Sequence, residues 1–252
     1  MPRLTAIVPC LNEAAVIRKC LQSLRWVDEL LVVDSFSTDG TPEIAQEYAS
    51  RVLQHEYANP GAQKNWALGQ AQGEWALFVD ADEQATPGLA LEIKRLLAAG
   101  AECDGYAVRR RNLFLAREIK HCGWQRDWVV RLIRNGRGRY HERELHEELR
   151  VEGKVGRLQG ALIHDTGRDL SQWQRKIIRY GEWEARRQKG KPAPSGAWMA
   201  FHPLLRFLKM FVLERGFLDG THGLALSLYT AAYVISKDTH VWQSSMNEES
   251  NR

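Results

Sequence analysis

The chain has 252 residues, 44% of them hydrophobic and 26% charged, a globular composition with enough length for one large or two modest domains. Its net charge of +4 suggests no more than a preference for anionic partners such as phosphates or an acidic lipid surface, and no nucleic-acid partner is expected. Cys10, Cys20, Cys103 and Cys122 are scattered without CxxC spacing, which argues against a zinc site or a disulfide framework. "MPRLTAIVPC" lacks a secretory pattern and no run approaches about 18 apolar residues, so neither a signal peptide nor a membrane-spanning helix is expected.

The first 105 residues alternate short apolar runs with helical patterns. "LTAIVP" (4–9) reads as a strand. Ala14, Ile17, Cys20, Leu21 and Leu24 then share one helical face, with Asn12 as the expected N-cap and Glu13 at the positive end. "ELLVVDS" (29–35) is a second strand, and Thr41 and Pro42 open a helix reaching about Ser50 as cap and first residue. A third strand (52–55), a helix (61–71), a strand (74–80), a helix from Thr86-Pro87 to Gly100 and a strand (105–114) complete the series. This order predicts an α/β fold, a mostly parallel sheet with helices on both faces, and ligands beyond the carboxyl ends of the strands. From about Leu170 the chain reads as helical. "KGKPAPSGA" (189–197) reads as a linker before helices near 202–215 and 222–237.

Four segments lie where strands run out. Asp80-Ala81-Asp82 follows an apolar strand, and paired carboxylates there can share a divalent cation, although the same triplet in isolation is an ordinary solvated loop. Asp34, in "VVDSFSTDGT", can accept hydrogen bonds from a base or ribose, or simply end a strand before a polar turn. "PCLNEA" places Pro9, Asn12 and Glu13 at a helix start, where caps are usual. Gln63 and Lys64 lie near another helix start, where a cation and free amides can hold a diphosphate.

In order and spacing, "PCLNE", "VVDSFSTDGT", "GAQKNWAL" and "FVDADE" resemble the nucleotide-sugar half of family 2 glycosyltransferases with the GT-A fold. The resemblance implies an inverting transferase using a nucleotide-diphospho-sugar and a divalent metal, Mg2+ or Mn2+. It implies that Pro9, Asn12, Glu13 and Asp34 contact the nucleoside and that Gln63 and Lys64 lie by the diphosphate. Asp80 and Ala81 then face the ribose, and Asp82 faces the cation, together with His164 at the end of "ALIHD". With "GW…RLIRNG", "LHEEL" and "IHDTGRDLSQWQRK", the chain is similar to one branch, the lipopolysaccharide inner-core β-1,4-glucosyltransferases, which implies UDP-glucose as donor and a lipid-linked heptose acceptor. Trp124, Arg126 and Arg131 would then be acceptor-binding.

An inverting displacement needs one carboxylate to take the acceptor proton. The resemblance points to Glu147 in "YHERELHEEL", with Glu144 and Glu142 as competitors. The two histidines there are one residue too far apart for the HExxH pattern of zinc proteases. "PCLNEA" replaces the GxGxxG of dinucleotide oxidoreductases. Other readings are transfer to a polyprenyl phosphate or a peptide, and donor binding without turnover.

The expected organisation is a donor half (1–110), an acceptor half (111–168) and a helical extension (169–252) that is membrane-facing or dimerising. In "FHPLLRFLKMFVLERGF", apolar residues share one helical face with Arg206, Lys209 and Arg215 elsewhere, so a cytoplasmic enzyme peripheral on the inner membrane face is expected.

Overall fold

The computed structural model describes residues 3–141, 148–166, 170–188 and 193–250. In chain order the first elements are β1 (Leu4–Cys10), α1 (Ile17–Ser23), β2 (Glu29–Asp34), α2 (Thr41–Gln46), β3 (Arg51–Gln54), α3 (Pro60–Gln70), β4 (Trp75–Phe78), β5 (Glu83–Ala85) and α4 (Pro87–Ala99). Then come β6 (Gly105–Phe114), β7 (Arg117–Glu118), β8 (Trp128–Arg134), β9 (Gly138–Tyr140), β10 (Leu149–Val151) and β11 (Val155–Asp165). The last helices are α5 (Leu170–Arg187), α6 (Gly196–Leu208) and α7 (Gly220–Ser250). The chain forms two compact units, residues 1–110 with 127–164, and residues 111–126 with 165–252.

In the first unit the strand order is β3-β2-β1-β4-β8-β6-β11-β5. β3, β2, β1 and β4 run parallel, whereas β8 is antiparallel to both β4 and β6, and β11 is antiparallel to β5. The expected α/β sheet with helices on both faces is therefore present, but it is mixed, not mostly parallel. Along β1 and β2 successive side chains point to opposite faces. Ala6, Val8, Leu30 and Val32 pack with Ile17, Leu21, Ala45, Leu89 and Ile93, so α1, α2 and α4 cover one face. Ile7, Leu31 and Val33 pack with Ala67 and Leu68 of α3 and with Tyr140 and Leu149 of the β9–β10 hairpin on the other.

Several helix boundaries differ from expectation for identifiable reasons. α1 starts at Ile17, not Ala14, because Asn12 adopts a positive φ of 55° and its side chain accepts the Thr38 N–H (2.8 Å) across the sheet edge. α2 has Gly40 at its cap, with φ 82°, while the Thr41 hydroxyl is used by Asp39 and the Glu13 N–H. Asn59 and Thr86 do cap α3 and α4. Ser195 caps α6 by accepting the Trp198 N–H, so that helix begins inside the expected linker. α6 carries Pro203 internally and ends in a π-helical turn, Lys209–Leu213.

In the second unit, Phe114, Ile119, Cys122, Met210 and Leu226 form the core, with Trp124 and Trp173 against it. Asp219 accepts the N–H groups of Lys120 (3.2 Å) and His121 (2.9 Å). Among the described residues no helix is long and apolar enough to cross a membrane.

At the amino edge of the first unit's sheet, Glu29 is 1% exposed and accepts the Thr5 hydroxyl (2.6 Å), the Gln72 N–H (2.9 Å) and Arg51 (3.1 Å). Burial opposes its charge, but these donors prevail and lower its pKa from 4.5. A depressed folded-state pKa contributes stability that is present above the unfolded value and lost as pH falls through the folded one. Glu29→Gln is expected to cost about 1–2 kcal/mol in urea denaturation at neutral pH and to shallow the loss of stability below that value. A midpoint equal to wild type would contradict this role.

Candidate active site

β1, β2 and β4 end side by side, with Cys10 opposite Asp34 and Ile7 opposite Phe78. Beyond β4 the chain turns tightly. The Asp80 N–H donates to Glu83 Oε2 (3.0 Å) and the Glu83 N–H donates to the Asp80 carbonyl (2.8 Å). This reciprocal pair places Ala81 and Asp82 at the corner and sends the carboxylates of Asp80 and Glu83 to separate duties.

Asp80 is caged. Lys64 Nζ lies 2.9 Å from Oδ1, and the Arg131 guanidinium donates to Oδ2. The same guanidinium nitrogen donates to Glu83 Oε1 at 2.7 Å. Arg110 approaches Glu83 at 3.6 Å and grips Asp127 with two bonds of 2.9 Å. Three cations thus alternate with three carboxylates, buried at Lys64, Arg131 and Glu83 and partly exposed at Asp80, Arg110 and Asp127, and the charges neutralise one another. Burial opposes ionisation of Asp80, but Arg131 and Lys64 outweigh it and hold the carboxyl well below the usual range. Burial also opposes the charge on Arg131, and Asp80 and Glu83 more than reverse that. The Lys64 ammonium further lies over the ring of Tyr140, 5.3 Å from its centroid, and burial raises the Tyr140 pKa.

Asp82 faces His164, with Oδ2 3.4 Å from Nε2 and both side chains partly exposed. The β5–β11 register produces this pair by setting His164 opposite Glu83. One carboxylate oxygen and one imidazole nitrogen suit a divalent cation that takes its other ligands from phosphate and water. Among the described residues no group of three or more His, Cys, Asp and Glu could hold an ion by itself.

At the ends of β1 and β2 Asp34 is fully buried and accepts the Ser37 N–H (3.0 Å) and the Cys10 thiol (3.6 Å). Burial, followed by Asp34, raises the Cys10 pKa, so that thiol stays protonated. The Asn12 N–H donates to Ser37 (2.8 Å), the Glu13 N–H to Thr41 (2.9 Å), and Gln63 bonds the Ser35 hydroxyl. Pro9, half-buried, pairs with Val33. These residues form one continuous rim with Lys64 and the Asp80–Glu83 turn.

The residues expected on the acceptor side divide. Arg131 departs from that expectation: it is 4% exposed and one of its guanidinium nitrogens donates to both Asp80 and Glu83. Trp124 and Arg126 belong to the second unit, where Trp124 stacks on Trp173 at 6.3 Å and Arg126 is exposed at the end of a 3-10 turn. Glu142, Glu144 and Glu147, the base and its competitors, lie outside the described residues. Sequence reading missed Glu83 and Arg110. The available signal was Arg131, inside the apolar run of "WVVRLIR", since a charge in an apolar strand needs a buried counter-charge.

An α/β sheet whose carboxyl rim collects carboxylates, a lysine and an imidazole has its polar groups where such sheets bind ligands. The chain belongs to the Glycosyl transferase family 2, whose sequence model matches residues 5–151, and it is a glycosyltransferase. It is 31% identical over 250 residues to the lipopolysaccharide core biosynthesis glycosyltransferase LpsC of Rhizobium meliloti (strain 1021), covering 93% of this chain and 92% of that one. An uncharacterized glycosyltransferase of Rickettsia felis (strain ATCC VR-1525 / URRWXCal2) is 24% identical over 287 residues, covering 100% of this chain and 99% of that one. The fold matches the S. aureus TarS 1-349 structure in complex with UDP-GlcNAc, with a TM-score of 0.50 and 16% identity over 99% of this chain and 92% of that one.

Removing one partner of a buried charge network leaves the others uncompensated. Arg131→Met is therefore expected to lower unfolding free energy by about 3–5 kcal/mol, whereas Asp82→Asn changes it by less than about 1 kcal/mol. Guanidinium denaturation checks both. Similar midpoints for Arg131→Met and wild type would mean that the cage does not hold the turn.

Proposed function

We propose that the chain transfers a hexose, glucose from UDP-glucose, onto a heptose of the lipopolysaccharide inner core, with inversion and in a single displacement. The observation that carries this reading is the turn that cages Asp80 and leaves Asp82 facing His164. The near full-length similarity to LpsC supports the acceptor class, and the fold likeness to a UDP-GlcNAc complex supports a UDP-sugar donor.

A divalent cation, Mg2+ or Mn2+, would supply charge stabilisation for the departing diphosphate. Asp82 and His164 would hold it. Asp34, with Pro9, Asn12, Glu13 and Gln63 around it, receives the nucleoside. Lys64 and Arg131 act through Asp80, keeping it ionised and aimed at the ribose, so Lys64 need not touch phosphate itself. Glu147 takes the proton of the acceptor hydroxyl as its oxygen bonds the anomeric carbon, and the bond from that carbon to the diphosphate oxygen breaks on the opposite face. The products are the inverted glycoside and UDP, with the proton on Glu147. Trp124 and Arg126 receive acceptor sugar and its anionic groups. A lipid-linked acceptor places the enzyme at the inner face of the bacterial inner membrane.

Asp82→Ala is expected to abolish metal-dependent transfer and donor hydrolysis in an assay with UDP-[14C]glucose and deglucosylated core acceptor. Full activity would remove Asp82 from the cation. Glu147→Gln is expected to keep UDP-glucose affinity within about twofold while kcat falls by roughly 10²–10⁴-fold. An active Glu147→Gln enzyme would transfer the base to Glu144 or Glu142.

A further inference from the structure

α6 and the turns after it have the reverse of an ordinary surface helix. Its outward positions are Trp198, Phe201, Leu204, Leu205 and Leu208, followed by Val212 and Leu213 in the π-helical turn and Phe217 and Leu218 beyond it. Phe201 is 62% exposed and Leu213 77%. Polar groups of α6 turn inward instead. His202 Nδ1 lies 2.6 Å from Oδ2 of Asp238 on α7, which is 4% exposed, and Arg206 is half-buried. The spacing 198, 201, 205, 208, 212 keeps the apolar residues on one side for about 20 Å of helix. Contiguous apolar surface of this extent marks an interaction face.

The charge pattern selects the occupant. Between residues 193 and 218 every exposed charged side chain is basic, namely Lys209 and Arg215, while Glu214 is half-buried. A two-fold contact between copies sets a patch against itself, so this one would oppose cation to cation. A bilayer with anionic headgroups takes the apolar side chains below the headgroups and pairs the cations at that level. None of the described helices can span a membrane, so the helix lies on it.

We infer that residues 198–218 form a membrane-docking surface for an anionic lipid bilayer, seated by Trp198, Phe201, Leu205, Leu208 and Leu213 and charge-matched by Lys209 and Arg215. Its biological purpose rests on the lipid-linked acceptor of the proposed function, but docking itself requires neither donor nor acceptor.

The test is co-sedimentation of the full chain with phosphatidylethanolamine/phosphatidylglycerol vesicles, with phosphatidylcholine vesicles as comparison. The expected result is binding to the anionic vesicles that weakens at least about tenfold on neutral vesicles or in about 0.5 M salt. Phe201→Ser/Leu205→Ser and, independently, Lys209→Glu/Arg215→Glu should each weaken it about tenfold. All four positions are exposed, so both variants should keep the wild-type circular dichroism. Wild-type protein left in the supernatant overturns the inference. So does a dimer in sedimentation velocity that Phe201→Ser/Leu205→Ser splits without altering vesicle binding. UDP-glucose calorimetry on the same preparation separates failure of docking from failure of the transferase reading.

Discussion

The alternation of Lys64, Asp80, Arg131, Glu83, Arg110 and Asp127 is the constraint on which the donor rim depends. A carboxylate buried alone would take up a proton or unfold its surroundings. Here each negative charge meets a cation from another element, so one network ties α3, the turn after β4, β6 and β8 together. The cost of desolvating Lys64, Arg131 and Glu83 is offset only while their partners are present. That mutual dependence gives the turn a single geometry.

The consequence for chemistry is a division of labour within one short turn. Glu83 spends its charge inward, on position, while Asp80, partly exposed, is held in place by Lys64 and Arg131. Asp82, between them, projects toward His164 from the antiparallel strand β11. Asp82 is thus held between neighbours whose own charges are already paired with cations of other elements. The return strands β8, β6 and β11 matter for the same reason: they bring Arg131, Arg110 and His164 to a rim whose other residues come from the parallel half.

Much of this was legible in the residues. Apolar runs, prolines and caps gave β1 to β4 and α3 to α4 nearly in place, and the segments at strand ends named the rim. Strand direction after residue 105 was not legible, because a β-branched run such as "WVVRLIR" reads the same in parallel and antiparallel pairing. Asn12 and Thr41 misled for a local reason: both have the chemistry of caps, but each spends its polar atoms bridging the β1 and β2 loops. Arg131 resembled a surface cation until its carboxylate partners, 48 and 51 residues away in sequence, were visible. The inverted face of α6 was only half legible, since its apolar periodicity was plain but which side met α7 was not.

The central claim is that the rim around Asp82 receives a uridine diphospho-sugar together with a divalent cation. Calorimetric titration of the wild-type chain with UDP-glucose, with and without Mn2+, tests it most directly. The account predicts saturable binding that strengthens at least about tenfold when Mn2+ is present. Binding that ignores the metal, or no heat with any UDP-sugar, would contradict it.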